Sequence, residues 1–346
     1  MKAKHSYLYI TLALAISAGL FIAYLSLNNF GSSGISSFPN MLEGTAFRPA
    51  IYRVLIPSLA KVIANLVPGQ VSEFFARLPE GTGIKRAFDN LSNDMYHGEA
   101  VSALVLIYLS IVGFVLVQRR FLKELGYSQT EQAVLPFTLA ALTLPFSVYF
   151  AYVYDLPQVF LFTVCALFLY QEKWTFYLLF LTVALLNKET AFFLVIIFAV
   201  YHFRRLPRNK FLVLLGAQLV IFLILRAILL YAYRDNPGVT IFWSYRYHLD
   251  QYRAHPSTLI VTLFLLGAIT FLMAKNWQKK PAFLRSASIV FPFTVVLFFL
   301  AGMPMEFRVF LDILPVFGTL FFPRKTPQHL EEETIPVLDQ PVHNHP

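Results

Sequence analysis

Two runs of nearly pure hydrocarbon, residues 174–186 and 190–203, are separated only by Asn187-Lys188-Glu189, an amide, a cation and an anion in a row. Ionisable side chains at bilayer depth are costly and face a cavity or a partner rather than lipid. Basic residues flank the whole stretch, with Lys173 before it and Arg204, Arg205, Arg208 and Lys210 after it. The positive-inside rule puts both flanks on one side, so the two runs read as a hairpin with Lys188 and Glu189 at its tip. Each arm spans roughly 20 Å as helix, short of a hydrocarbon core about 30 Å thick. The tip then lies within the outer half of the membrane, where irregular backbone persists only if protein or water surrounds it. A single tilted helix is the alternative, and it would invert everything downstream. The simplest role for Lys188 and Glu189 is mutual neutralisation that pins two helices. The other is a site.

Composition places the chain in one class. Hydrophobic residues make up 57% and charged residues 14%, and phenylalanine alone supplies 36 positions. That is an all-α, polytopic transmembrane helical bundle, not a soluble globular mixture. The lone cysteine, Cys165, lies in an apolar run, which excludes an intramolecular disulfide, and no Cys/His spacing of metal-site type occurs. The net charge of +9 reflects basic flanks of membrane segments, so nucleic acid is not a partner on this reading.

Along the chain the spacing predicts about ten membrane segments: 7–27, 100–117, 133–150, 158–170, the two arms, 211–231, 259–273, 289–302 and 309–322. Both termini are expected in the cytoplasm. Residues 1–325 form a single transmembrane domain, and the Pro-rich segment 326–346 reads as a disordered cytoplasmic tail. Residues 28–98 form an outer loop with amphipathic juxtamembrane helices predicted over 51–66, 71–78 and 84–91, the first kinked or restarted at Pro57.

On this topology charged groups gather at outer segment ends: Glu43, Arg48, Arg53, Asp155, Lys188, Glu189, Arg226, Arg234, Glu306 and Arg308. Such a site suits a substrate with a lipid tail and a polar head. Arginine forks bind phosphate bidentately, lysine adds a point charge, and carboxylates serve as base or hold sugar hydroxyls. Each residue also has a plainer role. Arg48 and Arg53 would touch lipid headgroups, Asp155 would cap a helix, Glu306 and Arg308 would pair locally, and Arg226 would snorkel. The aromatics between Trp243 and Tyr252 read as an interfacial belt with His248 incidental among them.

The layout resembles the polytopic glycosyltransferases of the GT-C fold. The likeness lies in the long loop after the first span, in helix pairs with charged tips, and in short strings. These strings are Arg48-Pro49…Tyr52-Arg53…Leu55-Ile56-Pro57, Tyr154-Asp155-Leu156-Pro157, Asn187-Lys188-Glu189-Thr190 and Glu306-Phe307-Arg308. It implies a multi-pass protein of a bacterial inner membrane that moves a sugar from a polyprenyl-phosphate donor to a lipid or glycan acceptor on the non-cytoplasmic face, with inversion. It also implies an acidic base in the first outer loop, Glu43 here, with Asp155 as the other candidate. Arg48, Arg53, Lys188 and Arg308 would hold the donor phosphate, with Glu189 and Glu306 as further binding groups. No cofactor is implied; some members use a divalent metal, and no acidic cluster in the sequence argues for one. Family members often carry an acidic pair soon after the first span, where this chain has Asn28-Asn29. An O-antigen-type polymerase or ligase, with a diphosphate-linked donor, and a lipid or solute transporter or flippase are the competing readings.

Overall fold

The computed structural model describes residues 2–26, 30, 34–240, 243–304 and 306–324. Asn28-Asn29 and the expected tail at 326–346 lie outside the described residues. The described chain is all helical. In order its α-helices are α1 (Lys2–Ser26), α2 (Phe38–Glu43), α3 (Leu55–Ala64), α4 (Gly69–Ala76), α5 (Gly83–Ser92), α6 (His97–Glu124), α7 (Gln129–Phe146) and α8 (Asp155–Tyr170). There follow α9 (Trp174–Asn187), α10 (Phe193–His202), α11 (Arg208–Ala232), α12 (Tyr245–Ala254), α13 (Pro256–Ala274), α14 (Ala282–Ala287), α15 (Val290–Ala301) and α16 (Leu314–Phe317). Among the described residues, five stretches are long and apolar enough to cross a membrane: Tyr7–Ser26, His97–Glu124, Arg208–Ala232, Pro256–Ala274 and Ala282–Ala301. Helices are the economical form here, because each backbone N–H and C=O finds its partner within the segment.

The short arms turn back on themselves. Trp174 at the start of α9 meets α10 near its end, with ring centroids 5.9 Å from Phe198 and 5.2 Å from His202. Residues 174–202 are therefore a hairpin and not one long helix. At its tip Lys188 leaves helical geometry (φ −160°, ψ 136°), and a 3-10 turn over Glu189–Phe192 reverses the chain. α9 packs on α8 and on α11, where the Tyr177 hydroxyl donates to Gln218 Oε1 at 2.7 Å, a buried polar tie between apolar helices.

The last arm differs from expectation. Residues 309–322 read as a membrane-crossing helix, yet the chain runs as 3-10 helix over Phe307–Ile313, one α-turn (α16) and 3-10 helix over Thr319–Phe321. Pro315 removes a backbone donor, and a Cβ on Gly318 would stand 2.9 Å from Leu139, so a regular lipid-facing helix is not what this sequence makes. Phe310, Leu311, Ile313, Leu314, Val316 and Phe317 are all fully buried. Protein surrounds the irregular backbone, the condition under which it persists in an apolar medium.

Two apolar cores result. One fills the body of the bundle between α6, α8, α9, α10, α14 and the final arm. The other lies at one end, where α2, α3 and α5 fold over the ends of α1 and α6 around Tyr24, Phe38, Tyr52, Phe88 and Tyr154. α3 begins after a bend at Arg53–Val54, and Pro57 sits in its first turn, where a missing N–H costs nothing. Arg324 donates to the Leu125 carbonyl at 3.2 Å at the opposite end of the bundle. Trp243, Tyr245 and Tyr247 are exposed, but His248 is not incidental. It is buried between Tyr252 Oη (3.1 Å) and the Gly302 carbonyl (2.9 Å), and so ties α12 to the end of α15.

Candidate functional site

The seam between the two cores holds the charged groups. Asp155 is the first residue of α8, where the helix N-terminus favours an anion. Its carboxylate accepts from Tyr152 N at 2.9 Å, from Lys188 Nζ at 3.3 Å and from Arg308 Nη1 at 3.0 Å. Lys188 also reaches Asp312 at 3.0 Å, and Thr190 Oγ1 donates to Asp312 Oδ2 at 2.7 Å. Asp155 and Asp312 are fully buried, with Lys188 4% and Arg308 8% exposed. The amide of Asn187 locks the hairpin tip to α8, donating to the Tyr154 carbonyl and to Gln158 Oε1, each at 2.9 Å. Such a buried network persists because each charge has an opposite charge and additional hydrogen bonds.

A second tier lies above it. Arg308 Nη2 pairs with Glu306, whose other oxygen accepts from Met303 N at 2.9 Å. Arg53 pairs with Glu189 at 3.1 Å and bonds the Tyr154 hydroxyl. Tyr152 and Tyr154 stack with centroids 5.3 Å apart and planes 7° apart. Arg308 lies 4.4 Å over the Tyr152 ring and Arg53 4.3 Å over the Tyr154 ring, so two guanidiniums are fixed on a rigid aromatic pair.

This tier opens into a cavity of about 600 Å³, lined on its polar side by Arg48, Arg53, Glu306 and Arg308 and on its apolar side by Phe47, Phe150, Val239, Ala301 and Met303. Arg48 is held at the rim by a clasp between two loops distant in sequence. Its N donates to the Pro237 carbonyl at 2.9 Å and its Nη2 to the Gly238 carbonyl at 2.8 Å, while the Asn236 amide donates to Gly44 and Ala46 carbonyls at 2.7 and 3.0 Å. Gly238 has φ +93°, and a Cβ there would stand 2.8 Å from the Arg48 carbonyl oxygen. Gly238→Ala is therefore expected to open the clasp at a cost of about 1–3 kcal/mol of local strain. Limited proteolysis should then cut the loop around Gly238 faster than in the wild type.

Of the residues singled out from the sequence, Asp155, Lys188, Glu189, Glu306, Arg308 and Arg53 fall in this connected assembly, with Arg48 across the cavity from them. Glu43 does not join it. Glu43 lines a separate cavity of about 230 Å³ with Ser58, Lys61 and Tyr233, and its carboxylate accepts from Tyr96 Oη at 2.9 Å. Arg53 borders both cavities. Asp155 is not the helix cap of its plainer role: Tyr154 holds the N-cap position, and Asp155, the first residue of α8, bridges two cations. Arg226 lies half-buried 5.3 Å from the Tyr52 ring.

Sequence reasoning passed over Asp312, Thr190 and the tyrosine pair. An aspartate inside the apolar run 309–322, four residues after Arg308, was the available signal for the first. Among the described residues, no three His, Cys, Asp or Glu side chains are grouped to hold a metal ion. No protein-family model, curated protein or solved structure matches the chain.

Proposed function

We propose that the larger cavity binds the phosphate of a polyprenyl-phosphate-linked sugar, and that the protein transfers this sugar to a lipid or glycan acceptor at the membrane surface. The proposed frame is a GT-C-like bundle of about ten membrane segments in a bacterial inner membrane, with both termini cytoplasmic and the cavity facing outward. One observation carries the reading. Arg48, Arg53 and Arg308 line a single cavity, and each has a buried Nε with no hydrogen-bond partner among the described residues. Buried donors are seldom left unmet, so unmet donors on three arginines that line one cavity favour an anionic ligand with several acceptor oxygens. The apolar wall suits the adjoining hydrocarbon of a lipid. Fixed positive charge does most for catalysis where negative charge develops, here on the leaving phosphate.

Purified protein in sealed proteoliposomes with radiolabelled polyprenyl-phosphate sugars tests this. Covalent transfer to an acceptor supports the reading. Label accumulating inside with no covalent product would make the protein a transporter, and transfer from diphosphate-linked donors alone would make it a polymerase or ligase.

A further inference from the structure

We propose that Glu306 is the general base of the transfer, and that the incoming phosphate frees it by taking Arg308 from it. This rests on the reading of the cavity as a sugar-phosphate site.

Elimination selects the carboxylate. Asp155 and Asp312 are fully buried and already engaged by Lys188 together with Tyr152 N and Arg308, or with Thr190. Glu189 is paired with Arg53 and does not line the larger cavity. Glu43 lines the smaller one. Among the described residues, Glu306 is the carboxylate on the wall of the larger cavity.

The geometry of Arg308 supplies the release. Nη1 is held by Asp155, while Nη2 is given to Glu306 and Nε has no partner among the described residues. Nε and Nη2 form one edge of the planar guanidinium, the edge that accepts two oxygens side by side. Glu306 uses half of that edge. A phosphate can use both donors, so it displaces Glu306 while Asp155 keeps the guanidinium in place. Glu306 then retains the Met303 N–H, and its other oxygen is free to accept from an acceptor hydroxyl.

In the transfer the Glu306 carboxylate takes the proton of the acceptor hydroxyl as the acceptor oxygen bonds to the anomeric carbon. The bond from that carbon to the phosphate oxygen breaks, and its electron pair leaves on the lipid phosphate held by Arg308.

The test uses the full chain in lipid nanodiscs, with polyprenyl phosphate as the binding probe and polyprenyl-phosphate hexoses and pentoses as donors. Glu306→Gln keeps the shape and removes the charge. It should bind polyprenyl phosphate several-fold more tightly than the wild type, because a neutral amide competes for Arg308 less than a carboxylate does. Its transfer rate should fall by about 10²–10⁴-fold, the usual contribution of a general base. Glu306→Asp should restore part of the rate. Unchanged or weaker binding by Glu306→Gln overturns the displacement, and transfer within a few-fold of wild type overturns the base. Wild-type protein that binds polyprenyl phosphate but transfers from no donor overturns the transfer reading itself, and the base role with it.

Discussion

Replacing Asp155 with leucine is expected to destabilise the protein by about 3–5 kcal/mol, the cost of leaving buried charges short of a partner. Lys188 and Arg308 would each lose the carboxylate they share, and both stay in a site with almost no contact with solvent. Thermal unfolding in detergent reads this as a large fall in the midpoint. Lys188→Met alone should cost a similar amount, because Asp312 would keep only Thr190. The double variant Lys188→Met with Asp312→Leu should recover much of the loss, since apolar residues of similar volume often replace a buried ion pair at little net cost. If Asp155→Leu melted within a degree or two of the wild type, the network would not be holding α8, the hairpin tip and the final arm together.

Arg308→Lys should leave folding nearly intact and abolish tight phosphate binding. A lysine can still neutralise Asp155, but an ammonium cannot reach Asp155 and Glu306 as a fork, lie flat over Tyr152 and offer a second edge to a ligand. Losing one charge-assisted bidentate contact costs about 1.5–3 kcal/mol per hydrogen bond, so affinity should drop by at least tenfold. Titration of polyprenyl phosphate into nanodisc-embedded protein measures it. An Arg308→Lys protein that binds as tightly as the wild type would remove Arg308 from the ligand.

How much of this could be read in the sequence follows from which physics is local. Helical class and the hairpin at 174–202 were legible, because hydropathy and basic flanks are properties of contiguous residues. The importance of Lys188 was legible too, since a charge between hydrocarbon runs has few tolerable environments. The final arm was not. Hydropathy cannot separate a lipid-facing helix from a 3-10 segment buried on every side, and Asp312 was hidden within that run. Nor does the sequence bring Gly238 to Arg48, 190 residues apart, or divide Glu43 from Arg308 into different cavities. Those placements depend on tertiary packing of α2, α3 and the loop after α11. The stacked Tyr152–Tyr154 pair is legible only in retrospect, as two tyrosines two positions apart in a turn that sets both rings on one side.

Arg48 and Arg53 from the first loop and Arg308 from the final arm line one cavity, the proposed anion site. Saturable binding of polyprenyl phosphate should be weakened about tenfold or more by Arg48→Gln, the loss expected for a charge-assisted contact. It should be unaffected by Lys123→Gln at the C-terminal end of α6, far from the cavity. Equal effects of the two substitutions, or no saturable binding by the wild type, would contradict it.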